Sequence, residues 1–367
     1  MQDTNKRVLL LCATSKMVLS FRTDLIKKFI SEGYEVGVCA FDELYKKEIE
    51  SLGVKFYSTE DNNRSINPLK ILSLKGKYIK IIKDFNPSIV FTFMLKPNIF
   101  GTLAAKSCKV SKIYSMVEGA GDTFVNKGLK WFIIRTFVCT MYKSAFKKSN
   151  KVVFLNDDDK SEFIKRKLVK EEKAVKIGGI GVNLEKYAFN PIENENNFLM
   201  VARLNQAKGV FEYCNLAREV KKVYPNANFC LLGGEGTITK QDIIEYINEG
   251  SINYYGETNS VYPYLKGCSV FVLPTYREGF PVSVMEAQSV GRAVIVSDTI
   301  GCKDTVEDGF NGFKVPVQDI NALKEKCIYF IENPKKIVEM GQNARQFAEN
   351  NFDQEKINQK IIQLINE

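Results

Sequence analysis

The chain has 367 residues, too many for one ordinary core and suited to two domains. Its 45% apolar and 26% charged residues exclude a disordered or fibrous protein. Histidine is absent, which excludes Ser-His-Asp and Cys-His chemistry, His-ligated metals and an imidazole base, and the net charge of +9 is spread along the chain without a nucleic-acid-binding motif.

The N-terminal apolar run Val8–Ala13 is too short for a signal-peptide core and reads as a first strand. No stretch reaches the roughly 18 apolar residues a membrane-spanning helix needs. The nine cysteines are scattered, never in a Cys-x-x-Cys pair, and read as buried free thiols of a reducing cytoplasm. β-Branched and aromatic runs follow at Arg7–Ala13, Glu35–Phe41, Val54–Thr59, Ser88–Phe93, Lys112–Val117 and Lys151–Leu155. Amphipathic stretches such as Val18–Glu32, Leu69–Phe85 and Asn98–Lys109 separate them. That alternation predicts a parallel sheet with helices on both faces. Gly178-Gly179-Ile180-Gly181 and polar Pro191–Asn197 interrupt the pattern. A second series begins at Asn197–Ala202 and continues through Asn228–Leu232, Ile252–Tyr255, Ser269–Leu273 and Ala293–Ser297, with three helices after residue 320. The expected organisation is an α/β pair of doubly wound domains, residues 1–188 and 189–350, facing a deep ligand-binding cleft. A final helix, 351–367, is expected to return to the first domain.

Chemistry concentrates in Val270–Asp298. A strand leads into a loop holding Glu278 and Gly279; Phe280 and Pro281 open a helix that carries Glu286 and ends at Gly291. The free N–H groups of Val282, Ser283 and Val284 are expected to form an anion site suited to a diphosphate, flanked by two carboxylates that can accept from sugar hydroxyls. In Phe198–Gly209, Arg203 at a strand end and Lys208 beyond a short loop can jointly neutralise a diphosphate. Gly233 and Gly234 follow a strand directly; they either admit a ligand to the backbone or make a plain turn. No Gly-x-Gly-x-x-Gly follows the first strand, which argues against a nicotinamide dehydrogenase.

Asn156-Asp157-Asp158-Asp159 imitates an Asp-x-Asp metal motif but reads more simply as a helix N-cap with acids in the first turn. In 127–151, Trp131, Ile134, Val138, Met141 and Ala145 recur at helical spacing among Lys130, Arg135, Lys143, Lys147 and Lys148, and no acid occurs between Asp122 and Asp157. One face of that helix must pack on its own domain; the alternative is a basic aromatic face lying on an anionic membrane or a polyprenyl diphosphate.

Arg203-x4-Lys208, the glycine pair, EGFPVSVMEA and the VSD strand end resemble retaining glycosyltransferase family 4, of GT-B fold, over essentially the whole chain. In the first half, Ser20-Phe21-Arg22, Ser65-x-Asn67-Pro68, Lys96-Pro97-Asn98-Ile99-Phe100-Gly101 and Val117-Glu118-Gly119-x-Gly121 resemble the branch that builds bacterial capsule, O-antigen and N-glycan precursors on undecaprenyl diphosphate. The resemblance implies a UDP-sugar donor, a lipid-linked saccharide acceptor, no metal and no further cofactor, and a place on the inner face of the cytoplasmic membrane. It implies that Arg203 and Lys208 hold the donor diphosphate, that Glu286 binds the ribose and Glu278 the sugar, and that Phe280–Val284 contribute backbone amides. Glu118 stands where many members carry histidine, facing the donor sugar, and leaves the catalytic base open; Thr14–Ser20 lacks the family's glycine pair. A catalytically silent GT-B scaffold and a nucleotide-sugar epimerase are the alternatives.

Overall fold

In the computed structural model the described residues are 6–61, 68–121, 124, 128–193 and 195–367, with side chains of 68–72 left out. Ser65 and Asn67 of the first-half motif and Lys127 of the basic segment lie outside them. The chain forms two compact units, Met1–Ile177 with Glu355–Glu367, and Gly178–Gln354. The sequence placed its divisions at 188 and 350.

The first unit is a parallel seven-stranded sheet in the order β3-β2-β1-β4-β5-β6-β7. Its strands are β1 Arg7–Leu11, β2 Glu35–Ala40, β3 Lys55–Ser58, β4 Ile89–Phe93, β5 Lys112–Val117, β6 Lys151–Phe154 and β7 Ala174–Lys176. Burial on both faces explains the continuous Val, Leu, Ile and Phe runs: Val8–Leu11 and Ile89–Phe93 are buried without alternation. Chain order reverses between β1 and β4, the place where doubly wound sheets open a crevice at their C-terminal ends. The last helix, Gln354–Asn366, is tied to this sheet by Lys112 Nζ donating to the Ile365 carbonyl at 2.6 Å and by Tyr34 OH on Asn366 at 2.9 Å.

The single helix expected over Val18–Glu32 is two, Ser15–Phe21 and Thr23–Ser31, meeting at Arg22 with φ −125° and ψ −7°. Arg22 is buried, and its Nη1 donates to the Phe21 carbonyl at 2.9 Å. The break is the backbone's accommodation of an inward arginine, which helical periodicity does not record.

The second unit repeats the topology with six parallel strands, β10-β9-β8-β11-β12-β13. They are β8 Asn197–Val201, β9 Asn228–Leu232, β10 Asn253–Tyr254, β11 Val270–Leu273, β12 Ala293–Ser297 and β13 Gly312–Val315. Here the reversal lies between β8 and β11. The loops leaving these two strands are drawn together: Tyr276 N donates to the Ala207 carbonyl at 2.8 Å and Thr275 Oγ1 to the same oxygen at 3.0 Å. Gly209, with φ +76°, makes the approach feasible, because a Cβ there would lie 2.0 Å from the Pro274 carbonyl oxygen.

Gly209→Ala is therefore expected to lower the unfolding free energy by more than about 2 kcal/mol, through a strained φ and a backbone clash. Gly53, with φ +85° and nothing within 4 Å of an added Cβ, isolates the first effect. Gly53→Ala should cost only about 1 kcal/mol. Urea unfolding of both full-length variants compares them; equal losses would show that the loops tolerate a methyl group.

Candidate functional site

At the reversal point of the second sheet, two residues 70 apart in sequence meet. Lys208, from the loop after β8, places Nζ 2.5 Å from Oε1 of Glu278, from the loop after β11. Arg203 stands exposed just beyond the end of β8. The Glu278–Gly279 backbone is clamped from its other side, where Glu278 N donates to the Ile300 carbonyl at 3.0 Å. Gly301 fits there because a Cβ would lie 2.5 Å from the Glu278 carbonyl oxygen.

The adjoining helix runs Val282–Ser289, with Pro281 as an N-cap that has no capping side chain. Among the described residues, Val282 and Ser283 keep N–H groups with no acceptor. Val284 does not: its N–H donates to the Pro281 carbonyl at 3.1 Å, a tight first turn that removes one of the three amides expected for the anion site. Phe280 turns its ring inward, edge-on to Phe352 at 5.6 Å, so only its backbone is offered outward.

Gly233 is required by packing. Its φ is +153°, a Cβ would lie 1.9 Å from the Ala202 carbonyl oxygen, and its N–H already donates to Gly256 O at 2.8 Å. Gly234 accepts from Leu204 N at 2.9 Å. The pair acts as the turn that holds the end of β9 against the end of β8, next to Arg203.

In the first unit, Glu118 follows β5 and Arg22 follows β1. Arg22 Nη2 donates to Glu118 Oε1, and the guanidinium lies 4.4 Å from the ring centre of Phe93, the last residue of β4. The two side chains are 5% and 11% exposed. A second such pair, Lys96 Nζ to Asp61 Oδ2 at 3.1 Å, joins the segments that follow β4 and β3.

Comparison with known proteins settles the family. Residues 184–347 match the family described as "Glycosyl transferases group 1", and residues 7–156 match "Glycosyl transferase 4-like". Over 361 residues, 95% of both chains, the sequence is 31% identical to the N,N'-diacetylbacillosaminyl-diphospho-undecaprenol alpha-1,3-N-acetylgalactosaminyltransferase of Campylobacter jejuni. The chain is a family 4 glycosyltransferase. It is also 27% identical to the UDP-Gal:alpha-D-GlcNAc-diphosphoundecaprenol alpha-1,3-galactosyltransferase of Escherichia coli, over 82% of this chain and 81% of that one. Its fold matches the structure of Anabaena HepE in complex with UDP and glucose, with a TM-score of 0.81, 17% identity, and 98% and 99% of the two chains covered. Both units are those of a GT-B glycosyltransferase.

Sequence reasoning missed one residue beside the candidate site of this glycosyltransferase. Tyr187, buried in the second unit, hydrogen-bonds the Glu286 carboxylate. Its carbonyl accepts from Ser289 Oγ at 2.8 Å, fixing the segment before β8 to the helix that carries Glu286. The Asp triplet resolves as a cap: Asn156 Oδ1 accepts from Asp159 N at 2.7 Å, and Asp157 pairs with Lys176. In the helix Leu129–Phe146, the stripe from Ile134 through Val138 and Met141 to Ala145 packs on the first unit's core. The exposed apolar residues are others, Leu129, Phe132, Ile133 and Phe137, at 76%, 61%, 60% and 57%. No helix among the described residues is long and apolar enough to cross a membrane.

Burial pushes the Glu286 carboxyl from its ordinary 4.5 up to about 7, against the opposing pull of the Tyr187 hydrogen bond and the Lys186 charge. The folded state thus holds this proton more tightly than the unfolded chain, so stability present below pH 4.5 is lost as pH rises to about 7. The size is about 3 kcal/mol. Glu286→Gln should remove that slope, so urea unfolding at pH 5 and pH 8 should show the variant losing less stability than the parent. Parallel losses would mean that Glu286 ionises near its ordinary value.

Proposed function

We propose that this glycosyltransferase moves a hexose or N-acetylhexosamine, with retained anomeric configuration and without a metal, from a UDP-sugar to a polyprenyl-diphosphate-linked saccharide during assembly of a bacterial surface polysaccharide or glycoprotein glycan. The observation that carries this reading is the meeting of Lys208 with Glu278 at the reversal point of the second sheet, beside the unfilled amides of Val282 and Ser283. A cation, a carboxylate and a helix N-terminus within one crevice suit a ligand that is anionic at one end and hydroxylated at the other. The acceptor class is supported by the two relatives acting on diphospho-undecaprenol sugars.

In this reading Lys208 and Arg203 hold the diphosphate, Glu286 the ribose and Glu278 the sugar. The bond from the anomeric carbon to the phosphate oxygen breaks, and the acceptor oxygen bonds that carbon on the same face. The acceptor's proton passes to the departing diphosphate. Two cations and a helix end stabilise the charge that develops on that leaving group. The enzyme sits on the inner face of the cytoplasmic membrane through the helix Leu129–Phe146. Over its first half it exposes Leu129, Phe132, Ile133 and Phe137 beside Lys130, and over its second half Lys143, with Lys147 at its C-cap, a mixture that suits an anionic bilayer surface.

Arg203→Ala and Lys208→Ala should each lower turnover by at least two orders of magnitude with the far-UV spectrum unchanged, read by mass spectrometry of the lipid-linked product. Asp157→Ala should leave turnover within about twofold, as an exposed pair implies. Product formation insensitive to EDTA is expected; EDTA sensitivity rescued by manganese would refute the metal-free route. For the membrane contact, Phe132→Ser with Phe137→Ser should abolish sedimentation with anionic vesicles while soluble-acceptor turnover persists. Undiminished sedimentation would rule that helix out.

A further inference from the structure

We infer that Arg22 is a positioning residue, holding Glu118 so that its second carboxylate oxygen accepts a hydrogen bond from a sugar hydroxyl; the inference rests on the reaction proposed above. Glu118 Oε1 is occupied by Arg22, whereas Oε2 is buried and has no hydrogen-bond partner. A buried carboxylate oxygen without a donor is costly and rare, and one at the C-terminal end of a central parallel strand lies where such sheets receive ligands. What it lacks is a neutral donor, since the carboxylate's charge is already met by Arg22. A sugar hydroxyl supplies that without adding a second charge.

Arg22 is fixed in three ways. Nη1 donates to the Phe21 carbonyl at 2.9 Å, Nη2 binds Glu118, and the guanidinium carbon lies over the Phe93 ring, 4.4 Å from its centre. It comes from the helix after β1, covers the end of β4 and reaches the residue after β5, so it spans the reversal point of the first sheet. Burial lowers its pKa to about 10, which leaves it charged at neutral pH. A lysine has one donor nitrogen, and cannot bond the Phe21 carbonyl and Glu118 from two separate nitrogens while lying over the ring.

The test is a double-variant cycle with Glu118→Gln, Arg22→Met and Arg22→Lys, using steady-state transfer between a UDP-sugar and a synthetic polyprenyl-diphosphate saccharide. Arg22→Met and Arg22→Lys should each lower kcat/KM more than tenfold. Added to Glu118→Gln, Arg22→Met should cost less than a further twofold, because the arginine acts only through the carboxylate. A rise in acceptor KM with unchanged donor hydrolysis assigns the hydroxyl to the acceptor; a parallel loss of donor hydrolysis assigns it to the transferred sugar. Losses that multiply, or an Arg22→Lys enzyme with parental kcat/KM, would overturn the proposal. If Arg22→Met does not fold, Arg22→Lys decides alone. Glu118→Gln with parental turnover would instead sink the role of Glu118 on which the proposal stands.

Discussion

The Cα of Gly209 lies so close to the Pro274 carbonyl that the second unit's site depends on there being no side chain between them. The contact joins the two loops that leave the sheet where its strand order reverses. From it follow the Tyr276 and Thr275 bonds to the Ala207 carbonyl and the reach of Lys208 to Glu278. Glu278 is held from the opposite side by a backbone bond to Ile300, so its carboxylate is presented by a loop with little freedom left. Glycines at 209, 233 and 301 each sit against a neighbouring carbonyl. The site is assembled by backbone packing before any charge is considered.

The charges then divide into two kinds. Lys208 is 30% exposed and Glu278 12%, so their pair is partly solvated and can open toward an arriving phosphate at modest cost. Arg22 and Glu118 are 5% and 11% exposed, and separating them would leave a buried charge uncompensated. One pair can exchange partners; the other is a fixed part of the fold. Glu286 is a third case, a carboxylate whose burial raises its pKa to about 7 against the hydrogen bond from Tyr187 and the charge of Lys186.

Much of this was legible in the residues because the strands are buried on both faces and read as unbroken apolar runs. β7 and β13 escaped: Ala174–Lys176 has three residues, and Gly312–Val315 opens on a glycine whose Cα presses against the Val294 carbonyl. Local pattern could place Arg203, Lys208, Glu278 and Glu286 at strand and helix ends. It could not show that Lys208 touches Glu278, or that Tyr187 touches Glu286 far along the chain. The helix break at Arg22 and the spent amide of Val284 were equally hidden. One accompanies a side chain paired with a carboxylate 96 residues away, the other a single tight turn at Pro281.

The lack of histidine connects these features. An imidazole placed after β5 would be largely neutral at pH 7 and would need no counter-ion. A carboxylate buried to the extent of Glu118 does need one, because an uncompensated buried charge is costly. The chain supplies that charge as an arginine from the segment after β1, and burying it costs the regularity of the helix that carries it. The break at Arg22, its guanidinium over Phe93 and the single unsatisfied oxygen of Glu118 therefore belong to one buried ion pair at the reversal point of the first sheet.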